Sequence, residues 1–282
     1  MTSTQSNKTQ HKKGFVIGLT AGVGGGLMSL GGGTLVIPML MGWLGLSPLA
    51  ARGTALSVSL FTSTMAGLIY AHHGMLDLRV ILWVAMPALL VTPLAAAWSE
   101  NWPAAKLKAG FGLVVVLGGL MIIFRDLFIT RALVPEDLQI PYLLAVGVFE
   151  GLVAGVIGIS GGPILAPFFV LGLGMPQQLA QGCSLLARLP AVLSGVGENW
   201  RLGNVHFSLV PSLALGAVIG AWLGSKIALA LPEHGLRIAF GILLILLGVH
   251  YLHGSHHTPK TLTVSEWKPQ LKKHQQANSQ HS

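Results

Sequence analysis

Two stretches of this sequence carry residue types suited to holding an anion. Gly22 to Pro38 reads GVGGGLMSLGGGTLVIP and sets Gly31, Gly32 and Gly33 side by side in an apolar run. Gly151 to Pro167 reads GLVAGVIGISGGPILAP and sets Ser160, Gly161 and Gly162 directly before a proline. An interior glycine costs a helix roughly 1 kcal/mol relative to alanine, and a proline about 3. Each stretch therefore interrupts the helix it lies in. A helix beginning at such a break offers unpaired N–H groups and the positive end of a dipole to an anionic oxygen. The competing use of the same glycines is close helix packing, and both uses stand open.

Arg188 lies about midway along the apolar run from Leu179 to Val196. An arginine at the centre of a bilayer costs roughly 2.5–3.5 kcal/mol even on the insertion scale. It must face a cavity or pair with an acid. Its planar fork matches a carboxylate or another oxyanion; the alternative is a structural pair with Glu150. Glu150 reads as a proton carrier, a counter-ion to Arg188 or an interfacial acid. Thr54, Ser57 and Ser184 fall just after helix starts. They either line a site or bond back onto their own preceding turn.

The elements that must position these residues are membrane helices. Of 282 residues, 52% are hydrophobic and 9% charged, against about 25% charged in soluble domains. Only helices or closed barrels satisfy their backbone in lipid, and the long apolar runs lack the alternation of a barrel. The fold expected is an all-α membrane protein of about eight apolar segments, four in each of two homologous halves. A gapless shift of 129 residues pairs Gly33 with Gly162, Gly45 with Gly174, Gly74 with Gly203 and Pro103 with Pro232. Internal repeats of this kind are common in transporters. Each half opens with a glycine-broken helix or a re-entrant hairpin. Four crossings per half make the repeats parallel, and a hairpin makes them inverted.

The divisions expected are a disordered tail over 1–13, a first transmembrane repeat over 14–124 and a polar linker over 125–140. A second repeat covers 141–252, and a disordered tail covers 253–282. No cleaved signal is read at the start, because the apolar run after the basic tail is too long for one. With both tails on one side, eleven Lys and Arg fall there against five opposite. The positive-inside rule then makes both tails cytoplasmic, in a multi-pass protein of the cell (inner) membrane.

Several functions are disfavoured. The net charge of +8 sits largely in the polar tails, so no basic face is built for nucleic acid. No GxxxxGK[ST] phosphate loop occurs. His72 and His73 are adjacent and point to different helix faces, and His253, His256 and His257 lack ligand partners at metal spacing. No metal, cofactor or catalytic group is expected. The single cysteine, Cys183, excludes an intrachain disulfide.

From Gly26, the run GLMSLGGGTLVIPMLMGWLGLSPLAARGTALS resembles the signature of the TauE/SafE (TSUP) family of sulfite and sulfonate exporters. The shared pattern is a glycine-rich break, a proline, the turn Gly45-Leu46-Ser47-Pro48 and the helix start Gly53-Thr54-Ala55-Leu56-Ser57. Ser160-Gly161-Gly162-Pro163 and Gly182-Cys183-Ser184 repeat it less faithfully, and Arg52 stands where a small or aliphatic residue is expected. The resemblance covers about 14–252. It implies a small transporter of sulfur-containing or other small organic anions. The reading is therefore a secondary transporter working by alternating access at a midplane site between the repeats. Its partners are the substrate anion and the bilayer, with proton or ion coupling and a homodimer left open. The alternatives are a membrane-embedded redox or enzymatic subunit and a passive anion channel.

Overall fold

The computed structural model describes residues 2–30, 33–98, 104–128, 133–157 and 162–254. Gly31, Gly32, Ser160 and Gly161 lie outside them. The described residues form twelve α-helices and no strand. In chain order these are α1 (Thr2–Met28), α2 (Gly33–Leu44), α3 (Pro48–His72), α4 (Leu78–Trp98), α5 (Ala104–Ile123) and the short α6 (Arg125–Phe128). The second half holds α7 (Gln139–Ile157), α8 (Gly162–Gly172), α9 (Gln177–Ala187), α10 (Leu189–Arg201), α11 (Val210–Ala230) and α12 (Glu233–Gly254).

Three features stand beside the expectations. The stretch 1–13, expected as a tail, enters the described residues at Thr2, where α1 begins. No glycine or proline interrupts that stretch. Its end is also tied down: His11 Nδ1 lies 3.4 Å from Ser212 Oγ, and Lys13 Nζ donates to the Trp43 carbonyl at 3.2 Å. Against about eight apolar segments expected, the described residues hold six helices long and apolar enough to cross a membrane, plus three shorter apolar stretches over Leu35–Leu44, Gly112–Ile123 and Gly162–Gly172. The linker is also less uniform than expected, holding α6 and a 3-10 turn over Glu136–Leu138.

Local sequence explains the turns. Gly45 takes φ +66° just past the end of α2, a left-handed conformation that glycine adopts without steric cost. Two residues later Ser47 caps α3, its Oγ accepting from Ala50 N at 3.3 Å, and Pro48 follows in the first turn. That order of glycine stop, serine cap and proline start is the expected one for a helix-to-helix turn.

α2 returns antiparallel along α1, because Thr20 Oγ1 sits 3.6 Å from Met39 Sδ and Lys13 reaches Trp43. α8 returns in the same way along α7, with Tyr142 OH donating to the Phe168 carbonyl at 2.9 Å and the Phe149 and Phe168 rings 5.9 Å apart. Neither opening helix packs chiefly on its own half. Gly14 faces Leu213 and Gly26 faces Ser225, so α1 runs parallel to α11. Gly147 faces Val84 and Gly151 faces Ala88, so α7 runs parallel to α4. α5 and α12 run antiparallel, with Gly112 on Gly248 and Gly119 on Gly241.

The α1–α11 contact is glycine-dependent. A Cβ on Gly22 would overlap the Ala217 carbonyl, and one on Gly220 would overlap the Leu19 carbonyl. Small residues four apart let membrane helices approach to backbone contact. Gly22→Val should therefore prise the pair apart, at about 1–3 kcal/mol or more for overpacking. The expected result is a lower melting temperature in detergent, and an unchanged one would show that the pair tolerates separation.

Candidate functional site

The two hairpin tips touch. A Cβ on Gly162, the first residue of α8, would overlap the carbonyl of Ser29, which follows α1 directly. Ser29 holds φ +54°, the only positive φ outside glycine among the described residues. A non-glycine residue in that region is strained and persists only where its surroundings fix it. What fixes Ser29 is a 2.5 Å hydrogen bond between its Oγ and that of Ser184 on α9. Ser184 donates its own proton to the Gln181 carbonyl at 2.9 Å, so Ser29 must be the donor between the two hydroxyls.

Arg188 stands beside this contact, at the joint between α9 and α10. The joint exists because Pro190, in the first turn of α10, has no N–H to continue the helix. Arg188 is 1% exposed. Its Nε and Nη2 both donate to Ser63 Oγ on α3, at 3.1 and 2.7 Å. Its Nη1 is buried and has no hydrogen-bond acceptor. Nη1 faces Gly162, where a Cβ would come within 3.2 Å. The first-turn N–H groups of α8 have no partner within the helix, and that end carries partial positive charge. Glu150 on α7 is fully buried. The arrangement brings together one fixed cation, the positive end of a helix, hydroxyl groups from three segments and a nearby carboxylate.

The candidates from sequence divide. Arg188, Ser184 and Gly162 share the cluster, and Glu150 lies buried on α7. Gly33 opens α2. Gly31, Gly32, Ser160 and Gly161 fall outside the described residues. Thr54 lies elsewhere: its Oγ1 accepts from His206 N at 3.0 Å, in the turn before α11. Ser57 bonds back to the Gly53 carbonyl at 3.3 Å. Along a helix rising 1.5 Å per residue, Thr54 and Ser57 sit roughly 13 and 9 Å from Ser63.

Sequence reasoning passed over Ser29, whose only signal is its place just before the glycine triplet. Ser63 is one of a row of hydroxyls along α3, with Ser57, Ser59, Thr62 and Thr64, that sequence offers as a possible site lining without ranking them, and its partnership with Arg188 comes from a helix far away in sequence. Ser63→Ala should remove both anchors of the guanidinium and weaken anion binding about tenfold, the worth of one to two charge-assisted hydrogen bonds. Thr54→Val, lacking any contact with the cluster, should leave binding unchanged. Equal behaviour of the two variants would remove Ser63 from the site.

A cavity of about 360 Å³ lies on the other flank of α8, walled by α5 and α7 and lined by residues such as Val115, Gly118, Pro167 and Phe168. Among the described residues no charged side chain lines it.

These features define a multi-pass helical membrane protein with a buried cation where two helical hairpins meet. The chain belongs to the sulfite exporter TauE/SafE family, whose family model matches residues 14–251. It is 24% identical over 261 residues to "Probable membrane transporter protein YunE" of Bacillus subtilis, covering 84% of this chain and 96% of that one. It is likewise 24% identical over 259 residues to a "Probable membrane transporter protein" of Haemophilus influenzae, covering 84% and 96%. A protein of the same description from Xylella fastidiosa is 26% identical over 250 residues, covering 85% and 90%. No solved structure matches the chain. The family and these relatives carry the names of membrane transporters.

Proposed function

We propose that the chain is a secondary transporter that carries a small sulfur-containing anion, sulfite or a sulfonate, through a site at Arg188. One observation carries this reading. A fully buried guanidinium keeps an N–H without an acceptor, beside the head of α8, at the contact between two broken segments. An orphaned buried donor on a charged group is costly, and an oxyanion relieves that cost. The planar fork and the helix end present several donors to one group of oxygens.

The two halves form an inverted duplication on this reading. Helices related by the 129-residue shift run antiparallel: α3 against α9 and α10, with Tyr70 beside Gln181, Ser63 beside Arg188 and Gly53 beside Asn199, and α5 against α12. The hairpins α1–α2 and α7–α8 then enter from opposite faces. Alternating access rocks one half against the other about the Ser63–Arg188 contact. Glu150 is the counter-ion to Arg188 and the candidate proton carrier.

The hairpins also regroup the charges. Arg52, Lys106 and Lys108 move to the face of the two tails, and Arg79, Arg125 and Arg131 leave it, so the tally stays at eleven against five. That balance supports cytoplasmic tails in an inner-membrane protein. The test is a melting-temperature screen in detergent with sulfite, sulfoacetate, taurine, thiosulfate and acetate. A ligand held only by the native state at a hundred times its Kd adds about 2.7 kcal/mol, so the right anion should raise the melting temperature. No response to any of them would defeat the anion reading.

A further inference from the structure

α9 carries a buried polar stripe that continues beyond the Arg188 site. Gln177, Gln181, Ser184 and Arg188 recur at intervals of four, three and four residues, the spacing that stacks side chains on one helix face. Their exposures are 0, 0, 0 and 1%. The stripe runs from the Gly174–Pro176 turn, at the outer end of α9, down to the guanidinium.

Its amides are poorly satisfied. Both polar atoms of Gln177 are buried without a partner, as is Gln181 Nε2. Gln181 Oε1 accepts from Tyr70 OH at 2.9 Å, and that hydroxyl also lies 3.2 Å from the Gly26 carbonyl. Across Gly26 stands Ser225 on α11, fully buried, with an Oγ that has no partner. A packed interior seldom leaves several polar groups unpartnered in one place, because each loses its hydration without replacement. Water or a passing ion supplies the missing partners in a state that is open.

We propose that this face of α9, with Tyr70 and Ser225 opposite, is the passage by which a hydrated oxyanion travels between the Gly174–Pro176 end and Arg188. The structure holds the passage shut. Its donors are neutral amides and hydroxyls, which solvate an anion without trapping it, and a fixed cation, Arg188, stands at its inner end. The proposal rests on the reading of Arg188 as an anion site.

Thiol accessibility tests it without depending on a known substrate. In a Cys183→Ser background, Gln177→Cys, Gln181→Cys and Ser225→Cys are each exposed, in sealed vesicles of either orientation, to the anionic reagent sulfonatoethyl methanethiosulfonate. Gln181→Cys and Ser225→Cys should be modified to completion from the Gly174–Pro176 face alone, with Gln177→Cys reacting fastest. Ala180→Cys, on the apolar side of α9, should stay unmodified. Ser225→Cys is nearly isosteric and keeps the test available if a glutamine variant does not fold. Absence of modification at the stripe positions, or equal modification from both faces, overturns the passage. Failure of every anion in the melting screen defeats the anion reading instead and leaves the labelling pattern to be judged by itself.

Discussion

Arg188→Ala should abolish the anion-induced rise in melting temperature and reduce flux in proteoliposomes to background. Truncating one partner of a buried, hydrogen-bonded charge pair costs roughly 2–5 kcal/mol, which is thirtyfold or more in affinity. The folded protein should survive the change. Removing the guanidinium also removes its desolvation cost, a buried Glu150 left without its counter-charge can take up a proton, and the hydroxyl left behind on Ser63 can turn to its own preceding turn. Arg188→Lys should fall between, because an ammonium keeps the charge but cannot span Ser63 and an oxyanion with a planar fork. Wild-type flux in Arg188→Ala would take Arg188 out of the binding site altogether.

Gly162→Val should be nearly as damaging, for a different reason. Its Cβ would overlap the Ser29 carbonyl and crowd Arg188 Nη1. The tips of the two hairpins would have to separate, breaking the Ser29–Ser184 bond and misplacing the guanidinium. Overpacking of this sort costs typically 1–3 kcal/mol in stability, and flux should be lost with it. Gly42 offers the matched control. It lies in α2, and nothing stands within 4 Å of a Cβ built there. Gly42→Ala should keep transport and gain up to about 1 kcal/mol from helix propensity. If Gly42→Ala and Gly162→Val transport alike, contact between the tips has no part in function.

The residues with an unavoidable physical cost were the ones legible in the sequence. Glycine and proline in an apolar run announce a break whatever their neighbours are, and α1 does end at Met28, with Ser29 and Leu30 outside the helix. Arg188 stood out because a cation inside an apolar segment demands a partner, and it is buried on Ser63. Direction was not legible. Apolar composition is the same whether a segment crosses or folds back, and only contacts such as Lys13 with Trp43 distinguish the two. Hydroxyl groups were ambiguous for a related reason. Ser57 satisfies itself locally while Ser63, six residues on, holds the guanidinium, and nothing in their types or spacing separates them. Thr54 fell to the turn before α11 because its partner is a backbone N–H, which sequence cannot single out.

The pairing of α1 with α11 bears on how the chain is made. Gly22 rests against Ala221, so the first helix waits for a partner translated almost two hundred residues later. At about 5–20 residues per second that delay lasts roughly 10–40 s. Throughout it the glycine face of α1 stands in lipid without its mate. Chains that stop short of Val210 would strand that helix, which makes them natural substrates for membrane quality control.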